Sequence, residues 1–316
     1  MKKHDRIYVA GGKTLIGAAI LRRLQQQGYT NIIGKPGEEP TLTNASEAEA
    51  FFAQMAPKYV FMAAGKSGGI RANQNFPAEL MLDNLLVECH VIDNAYRYGV
   101  QKLLYLGSSC SYPKHCSQPM RVESLMTGPL EPTNEAYAIA KIAGMKLCHA
   151  YCQQHGMNFV TGIPANVFGS GDDFNSKDSH VIAALIQRMH EAKIKNTLSV
   201  SIWGTGKPRR EFIFADDLAD ACIFVMLEYN EPQPINMGVG VDLSIRELAQ
   251  LIKEIVGYPG ELCFDTRMPD GMPLKCLDSS VLHRMGWKPK TSFRFALQTT
   301  YDWFLQMKED AASKSF

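Results

Sequence analysis

Tyr137 and Lys141 stand four residues apart in Asn134-Glu-Ala-Tyr-Ala-Ile-Ala-Lys141, a stretch that opens a helical pattern, so both side chains share one helical face. An ammonium beside a phenol favours the phenolate and is expected to draw its pKa down from about 10. The run Leu103-Leu-Tyr-Leu-Gly107 reads as a strand that delivers Ser108, Ser109 and Cys110 to its C-terminal end. In a doubly wound sheet that edge is where ligands bind. A Ser108 hydroxyl sharing an oxygen with the Tyr137 phenol, next to Lys141, can pass a proton to a carbonyl while a nicotinamide delivers hydride. Taken alone, Tyr-x-x-x-Lys is ordinary helix surface. Its weight comes from Ser108 at a strand end and from a glycine turn near the N-terminus.

That turn is Gly11-Gly12-Lys13-Thr14-Leu15-Ile16-Gly17, placed between an apolar strand and a helical stretch. Glycines permit the tight strand-to-helix turn and let a pyrophosphate approach the backbone, while the helix N-terminus offers free N–H groups. Gly11 and Gly17 keep the outer six-residue spacing of a G-x-x-G-x-x-G fingerprint, and Thr14 takes the place of the middle glycine. Gly11, Lys13, Thr14, Leu15, Ile16 and Gly17 are therefore candidate cofactor contacts, together with Tyr137 and Lys141. The second strand ends in Ile33-Gly-Lys-Pro-Gly37 without the carboxylate that usually meets a free ribose 2′-hydroxyl. Lys13 and Lys35 suit a 2′-phosphate instead, so NADP(H) is expected over NAD(H).

The elements that must position these residues alternate. Candidate strands at Arg6–Ala10, Asn31–Lys35, Tyr59–Ala64, Lys102–Ser108 and Asn158–Asn166 are separated by amphipathic stretches such as Ile16–Gln27 and Ala78–Tyr98. The expected fold class is α/β, a Rossmann-like doubly wound parallel sheet with a smaller C-terminal α/β substrate lobe. Residues 1–166 read as the dinucleotide-binding domain, with parts of the later chain returning to it, and 167–316 as mainly the substrate lobe. In the latter, Ser179–Ala192 and Ser244–Val256 read as helices, the second with a Ser244/Glu247 capping box and Gly257 as its stop.

Composition narrows the partners. The 316 residues carry 33 Lys+Arg against 32 Asp+Glu, a net charge of +1, with 46% hydrophobic and 21% charged residues. This is globular composition, against a disordered chain and against a protein that coats nucleic acid by bulk charge. No apolar run reaches the roughly 18 residues of a membrane span, and Ile7–Ala10 is too short for a signal peptide. A cytoplasmic protein with reduced thiols is expected. The eight cysteines contain no C-x-x-C pair, so neither a disulfide framework nor a metal site is expected.

With these motifs in place, the sequence resembles the extended short-chain dehydrogenases/reductases. Within them it is similar to the GDP-L-fucose synthase family, the GDP-4-keto-6-deoxymannose 3,5-epimerase/4-reductases. The resemblance lies in Leu106-Gly-Ser-Ser-Cys110, Glu131-Pro-Thr-Asn-Glu135, Tyr137-Ala-Ile-Ala-Lys-Ile-Ala-Gly144, Ser179-His-Val-Ile182, Trp203-Gly-Thr-Gly206, Arg210-Glu-Phe212 and Ser244-Ile-Arg-Glu-Leu248, which span nearly the whole chain. It implies that Cys110 and His180 act as acid and base in epimerisation next to a 4-keto group, beside reduction by Ser108, Tyr137 and Lys141. It also implies a GDP-sugar substrate held by Asn166, Arg188, Trp203, Arg210 and Asp278, and a homodimer. Arginine suits a diphosphate because its fork makes paired, charge-assisted bonds.

The chain departs from the family at Thr14, Ser111, Gly65-Lys66-Ser67, and Gly37, where an arginine is typical. Substrate alternatives therefore stay open: GDP-4-keto-3,6-dideoxymannose or a GDP-4-keto-heptose, with one or both epimerisations missing. So do a redox-neutral epimerase or dehydratase holding NAD(H), and a dinucleotide-sensing protein without catalysis.

Overall fold

Short apolar runs bounded by glycine turns become strands buried on both faces, as a parallel sheet between helices requires. The computed structural model describes residues 1–174, 179–268 and 270–313. In the first half, β1 (Ile7–Ala10), α1 (Leu15–Gln26), β2 (Ile32–Ile33), α2 (Ala45–Met55), β3 (Tyr59–Met62), α3 (Ile70–Asn75), α4 (Pro77–Arg97), β4 (Lys102–Leu106), α5 (Glu135–His155) and β5 (Phe159–Pro164) follow in order. Then come β6 (Asn166–Phe168), α6 (Val181–Ile194), β7 (Ser199–Trp203), β8 (Arg209–Phe214), α7 (Ala215–Glu228) and β9 (Ile235–Met237). The chain continues through β10 (Asp242–Ser244), α8 (Ile245–Val256), β11 (Glu261–Asp265), β12 (Leu274–Lys275), α9 (Ser280–Arg284) and α10 (Phe293–Ser313).

The central sheet has six parallel strands in the order β2-β1-β3-β4-β5-β9. β9 is the return of the later chain to this sheet, and α7, which precedes it, packs against α1, while α2 and α5 pack against α4. The strand order reverses between β1 and β3, so the crevice at their C-terminal ends is the expected ligand position.

Around β8 a second set forms, with β10 antiparallel and β12 and β6 parallel to it; β7 and β11 pair separately. A second apolar core, including Phe168, Phe174, Phe212, Phe214 and Phe304, lies under α6, α8 and α10. The Ser244 hydroxyl accepts from Glu247 N and the Glu247 carboxylate accepts from Ser244 N, so the expected capping box is present, and Gly257 ends α8 in the left-handed region.

Two strands differ from expectation. Asn31–Lys35 yields only Ile32–Ile33, because Gly34 turns the chain at φ +94°, where a Cβ would meet Val9 O at 2.3 Å. Asn158–Asn166 divides after Pro164, which has no N–H to extend the ladder; Asn166–Phe168 then pairs with β8 instead of the central sheet.

Candidate active site

The glycine turn is packed so closely that side chains are excluded. A Cβ on Gly11 would lie 2.6 Å from the Ala64 backbone, one on Gly12 1.8 Å from Gly34 O, and one on Gly17 2.0 Å from Gly11 O. Thr14 fits where a glycine is common because its backbone is extended, and it serves as the N-cap of α1. Its hydroxyl donates to Gly11 O at 2.8 Å and accepts from Gly17 N at 3.0 Å. Leu15 and Ile16 keep first-turn N–H groups with no acceptor among the described residues, a cradle that fits a dinucleotide diphosphate.

One carboxylate does reach this turn. Glu39 accepts from Gly11 N at 2.7 Å, Gly12 N at 3.0 Å and the Tyr8 hydroxyl at 3.0 Å, and burial raises its pKa against those hydrogen bonds. The strand end itself lacks an acid, but the loop beyond it folds back and supplies one. Lys13 and Lys35 are both exposed beside the turn.

At the end of β4, Ser108 caps a short helical turn and its hydroxyl accepts from Cys110 N at 3.2 Å. The Ser108 hydroxyl also acts on the Tyr137 phenol, favouring its ionised form. The phenol pKa is raised, first by burial, then by the nearby Cys110 charge, and the Ser108 hydroxyl only partly opposes this. The expected lowering by Lys141 is absent for a physical reason. Lys141 Nζ lies 3.2 Å from Glu88 Oε1 and donates to Leu106 O at 3.2 Å, so its charge is matched by a buried acid. The Tyr105 hydroxyl donates to the same Glu88 oxygen at 2.7 Å. Gly144 leaves room for this cluster, since a Cβ there would meet Tyr105 Oη at 2.5 Å and Glu88 Oε2 at 2.7 Å.

Cys110 faces cations and donors. Asn134 Nδ2 donates to its sulfur at 3.2 Å and Lys275 Nζ approaches at 3.4 Å. The Cys110 charge favours the cationic form of Arg210, although burial lowers that guanidinium overall. Ser108, Cys110, Tyr137, Lys141 and Arg210 thus surround one strand end.

The remaining candidates lie on the second set of strands. Asn166 Nδ2 donates to Glu211 O at 2.6 Å, beside Arg210. Glu211 is buried, and its carboxylate accepts from Val239 N at 2.6 Å, Gly240 N at 2.7 Å and Leu277 N at 2.7 Å. It ties the end of β9 to the segment that carries Asp278. The Asp278 carboxylate accepts from Ser280 N at 3.0 Å and pairs with Arg121 at 3.3 Å, which hold its pKa down.

His180 is the N-cap residue of α6, not part of its body, and its Nδ1 lies 3.9 Å from Asp172 Oδ1. Arg188 donates to Ser201 O at 3.0 Å, which brings it to β7 two residues before the half-exposed Trp203. No hydrogen bond or ion pair joins His180, Arg188 or Trp203 to the Cys110 group among the described residues.

Sequence reasoning missed Glu39, Glu88, Asp172, Glu211 and Lys275. Glu88 carried a signal: it is a charge on the apolar face of the α4 pattern, among Val87, Val91 and Ile92. Glu211 and Lys275 sit in strands whose partners depend on long-range pairing, so local pattern did not reveal them.

Residues 7–240 match the NAD dependent epimerase/dehydratase family. GDP-L-fucose synthase 1 of Arabidopsis thaliana is 50% identical over 304 residues, covering 96% of this chain and 94% of that protein. A GDP-6-OMe-4-keto-L-xylo-heptose reductase from C. jejuni has the same fold with a TM-score of 0.92 at 34% identity, covering 97% of this chain and 99% of that one. A GDP-L-fucose synthetase from Naegleria fowleri bound to NADP gives a TM-score of 0.90 at 28% identity, covering 98% and 96% of the two chains.

Proposed function

This chain belongs to the NAD dependent epimerase/dehydratase family, and we propose that within it the protein is an NADPH-dependent epimerase/reductase converting GDP-4-keto-6-deoxymannose to GDP-L-fucose. The observation that carries the reading is the gathering of Ser108, Cys110 and Tyr137 at one strand end in a chain half identical to a GDP-L-fucose synthase over nearly its full length. NADP(H) is the cofactor in this reading, supported by the NADP bound to the Naegleria fowleri relative and by the fit of the glycine cradle. Gly11, Gly17 and the Leu15 and Ile16 N–H groups would hold its diphosphate, Lys13 and Lys35 its 2′-phosphate. When bound, the nicotinamide supplies hydride to C4 of the sugar.

The chain's own residues handle protons. The half-buried Tyr137 stays a phenol and gives its proton to the C4 oxygen, with Ser108 sharing that oxygen. Lys141, held by Glu88 and Leu106 O, orients cofactor and phenol. Before reduction, Cys110 and His180 remove and return protons at the carbons next to the ketone, which the carbonyl acidifies through an enolate. Asn166, Arg188, Trp203, Arg210 and Asp278 hold the GDP-sugar. Residues 1–166, with parts of the later chain returning to them, form the cofactor domain and 167–316 mainly the sugar-nucleotide lobe of a cytoplasmic homodimer.

The test is NADPH oxidation with GDP-4-keto-6-deoxymannose and identification of the product. GDP-L-fucose supports the reading. No turnover by folded protein, alongside turnover of a GDP-4-keto-heptose, replaces it with the second reading that the fold match to the heptose reductase favours.

A further inference from the structure

We propose that Lys275 is the counter-ion of the Cys110 sulfur and keeps it ready as the base of epimerisation, a step that rests on the role given to Cys110 above. Lys275 lies opposite Arg210 in the parallel pairing of β12 with β8, so two cations stand at directly paired positions. Like charges at such positions repel. Lys275 is buried, and among the described residues its ammonium has no carboxylate partner; the hydrogen-bond acceptor it reaches is Cys110 Sγ at 3.4 Å. Arg210 spends its Nη1 on the carbonyl oxygens of Arg209 and Met272 at 2.8 and 2.6 Å, which carry no full charge.

Asp270 and Glu131 act electrostatically on Arg210, but the buried Lys275 ammonium forms no ion pair with an acid among the described residues and calls for an anion, because a buried unpaired charge is costly. The neighbouring group that can supply one is the Cys110 thiol. A second donor, Asn134 Nδ2 at 3.2 Å, points at the same sulfur. A thiol is a weak acceptor, whereas two N–H donors suit a thiolate. With Lys275 as ammonium, the thiolate takes the proton from a carbon beside the ketone. The carbon–hydrogen electron pair then moves toward the ketone oxygen as the enolate, and the proton rests on sulfur.

The test is alkylation of the folded protein by iodoacetamide at neutral pH, resolved cysteine by cysteine by mass spectrometry. In Lys275→Met the thiolate fraction of Cys110 falls. A ten-fold fall slows alkylation about three-fold, since nucleophilicity rises as the thiol weakens as an acid. Lys275→Arg keeps the charge and restores most of the rate. Cys89 and Cys263 are exposed and act as controls, while Cys148 and Cys222 are buried and stay protected as long as the fold holds. Alkylation of Cys110 in Lys275→Met at the wild-type rate overturns the proposal. If that variant loses its fold, the ultraviolet thiolate absorbance lost between wild type and Cys110→Ser decides: a difference at neutral pH supports the pairing and none overturns it. A slowed alkylation in a protein that turns over no GDP-4-keto sugar keeps the Lys275–Cys110 pair and removes only its place in epimerisation.

Discussion

Lys141 Nζ and Glu88 Oε1 lie 3.2 Å apart, both side chains buried, and this pair decides how the Tyr-x-x-x-Lys motif works in this chain. The lysine is not a loose cation beside the phenol. It is held from α4 by an acid that also accepts from Tyr105. Removing the acid leaves the ammonium with Leu106 O as its one hydrogen-bond acceptor among the described residues. Glu88→Ala is therefore expected to destabilise the fold by about 3–5 kcal/mol, the usual penalty for breaking a buried pair from one side. A urea midpoint within error of wild type would refute this.

Glu88 also acts on chemistry. Its negative charge is among the causes that raise the Tyr137 phenol, together with burial and Cys110. In the proposed reduction the phenol must hold its proton, so turnover is expected to fall as pH rises through the phenol pKa. Glu88→Gln removes one raising charge, which lowers that pKa. The basic limb of kcat against pH should move to lower pH, with the sign fixed by the loss of an anion. An unchanged or upward-moving limb would contradict the coupling.

Reduction and epimerisation should separate by residue. Tyr137→Phe removes the proposed proton donor and is expected to lower NADPH oxidation about 10²–10⁴-fold. Exchange of sugar protons with deuterated solvent should persist, because Cys110 and His180 are intact. Cys110→Ser should do the reverse, slowing exchange far more than reduction of a ketone that needs no epimerisation. Equal losses of both activities in each variant would show that the two sets of residues do not divide the work.

Glu211 gives a prediction independent of substrate. Its carboxylate accepts from three backbone N–H groups, two on one oxygen and one on the other. Glu211→Gln turns one acceptor into a donor facing an N–H, an expected loss of about 1–3 kcal/mol by thermal or urea unfolding. Burial raises the Glu211 pKa above its ordinary 4.5. A raised acid binds its proton in the native state before the unfolded one, so stability from this group is present below 4.5 and is lost as pH rises through the folded value. The margin of wild type over Glu211→Gln should therefore widen as pH falls through that window. A margin that narrows would place the carboxylate in a different balance.

Much of this arrangement was legible in local pattern. The strand–turn–helix of Gly11–Gly17, the serine at the end of β4 and the Tyr137/Lys141 face of α5 each follow from residue type and short spacing. What was not legible depends on which distant segments meet. The loop after β2 returns Glu39 to the first turn, α4 brings Glu88 under α5, and β12 sets Lys275 against β8. The phenol's raised pKa was misjudged for the same reason: the i,i+4 spacing gives Lys141 its face but not its partner. His180 was expected within a helix and instead caps it, since a helix N-terminal turn has no fixed first residue in the sequence pattern.

In the proposed reading, cofactor choice turns on the balance between exposed lysines and one acid at the glycine turn. Lys13 and Lys35 are free to approach a 2′-phosphate, while the Glu39 carboxylate is committed to Gly11 N, Gly12 N and the Tyr8 hydroxyl. An acid so engaged organises the turn and has little capacity left to accept from a ribose 2′-hydroxyl, which is the contact that favours NAD(H). The joint variant Lys13→Ala/Lys35→Ala should therefore raise the KM for NADPH about ten-fold, equivalent to losing one charge-assisted contact. Its KM for NADH should barely change, because no phosphate is there to lose. Glu39→Gln, by contrast, should weaken both cofactors together, since it loosens the turn that each would share. Parallel loss of NADPH and NADH in the lysine variant would mean that the lysines support the turn and do not read the phosphate.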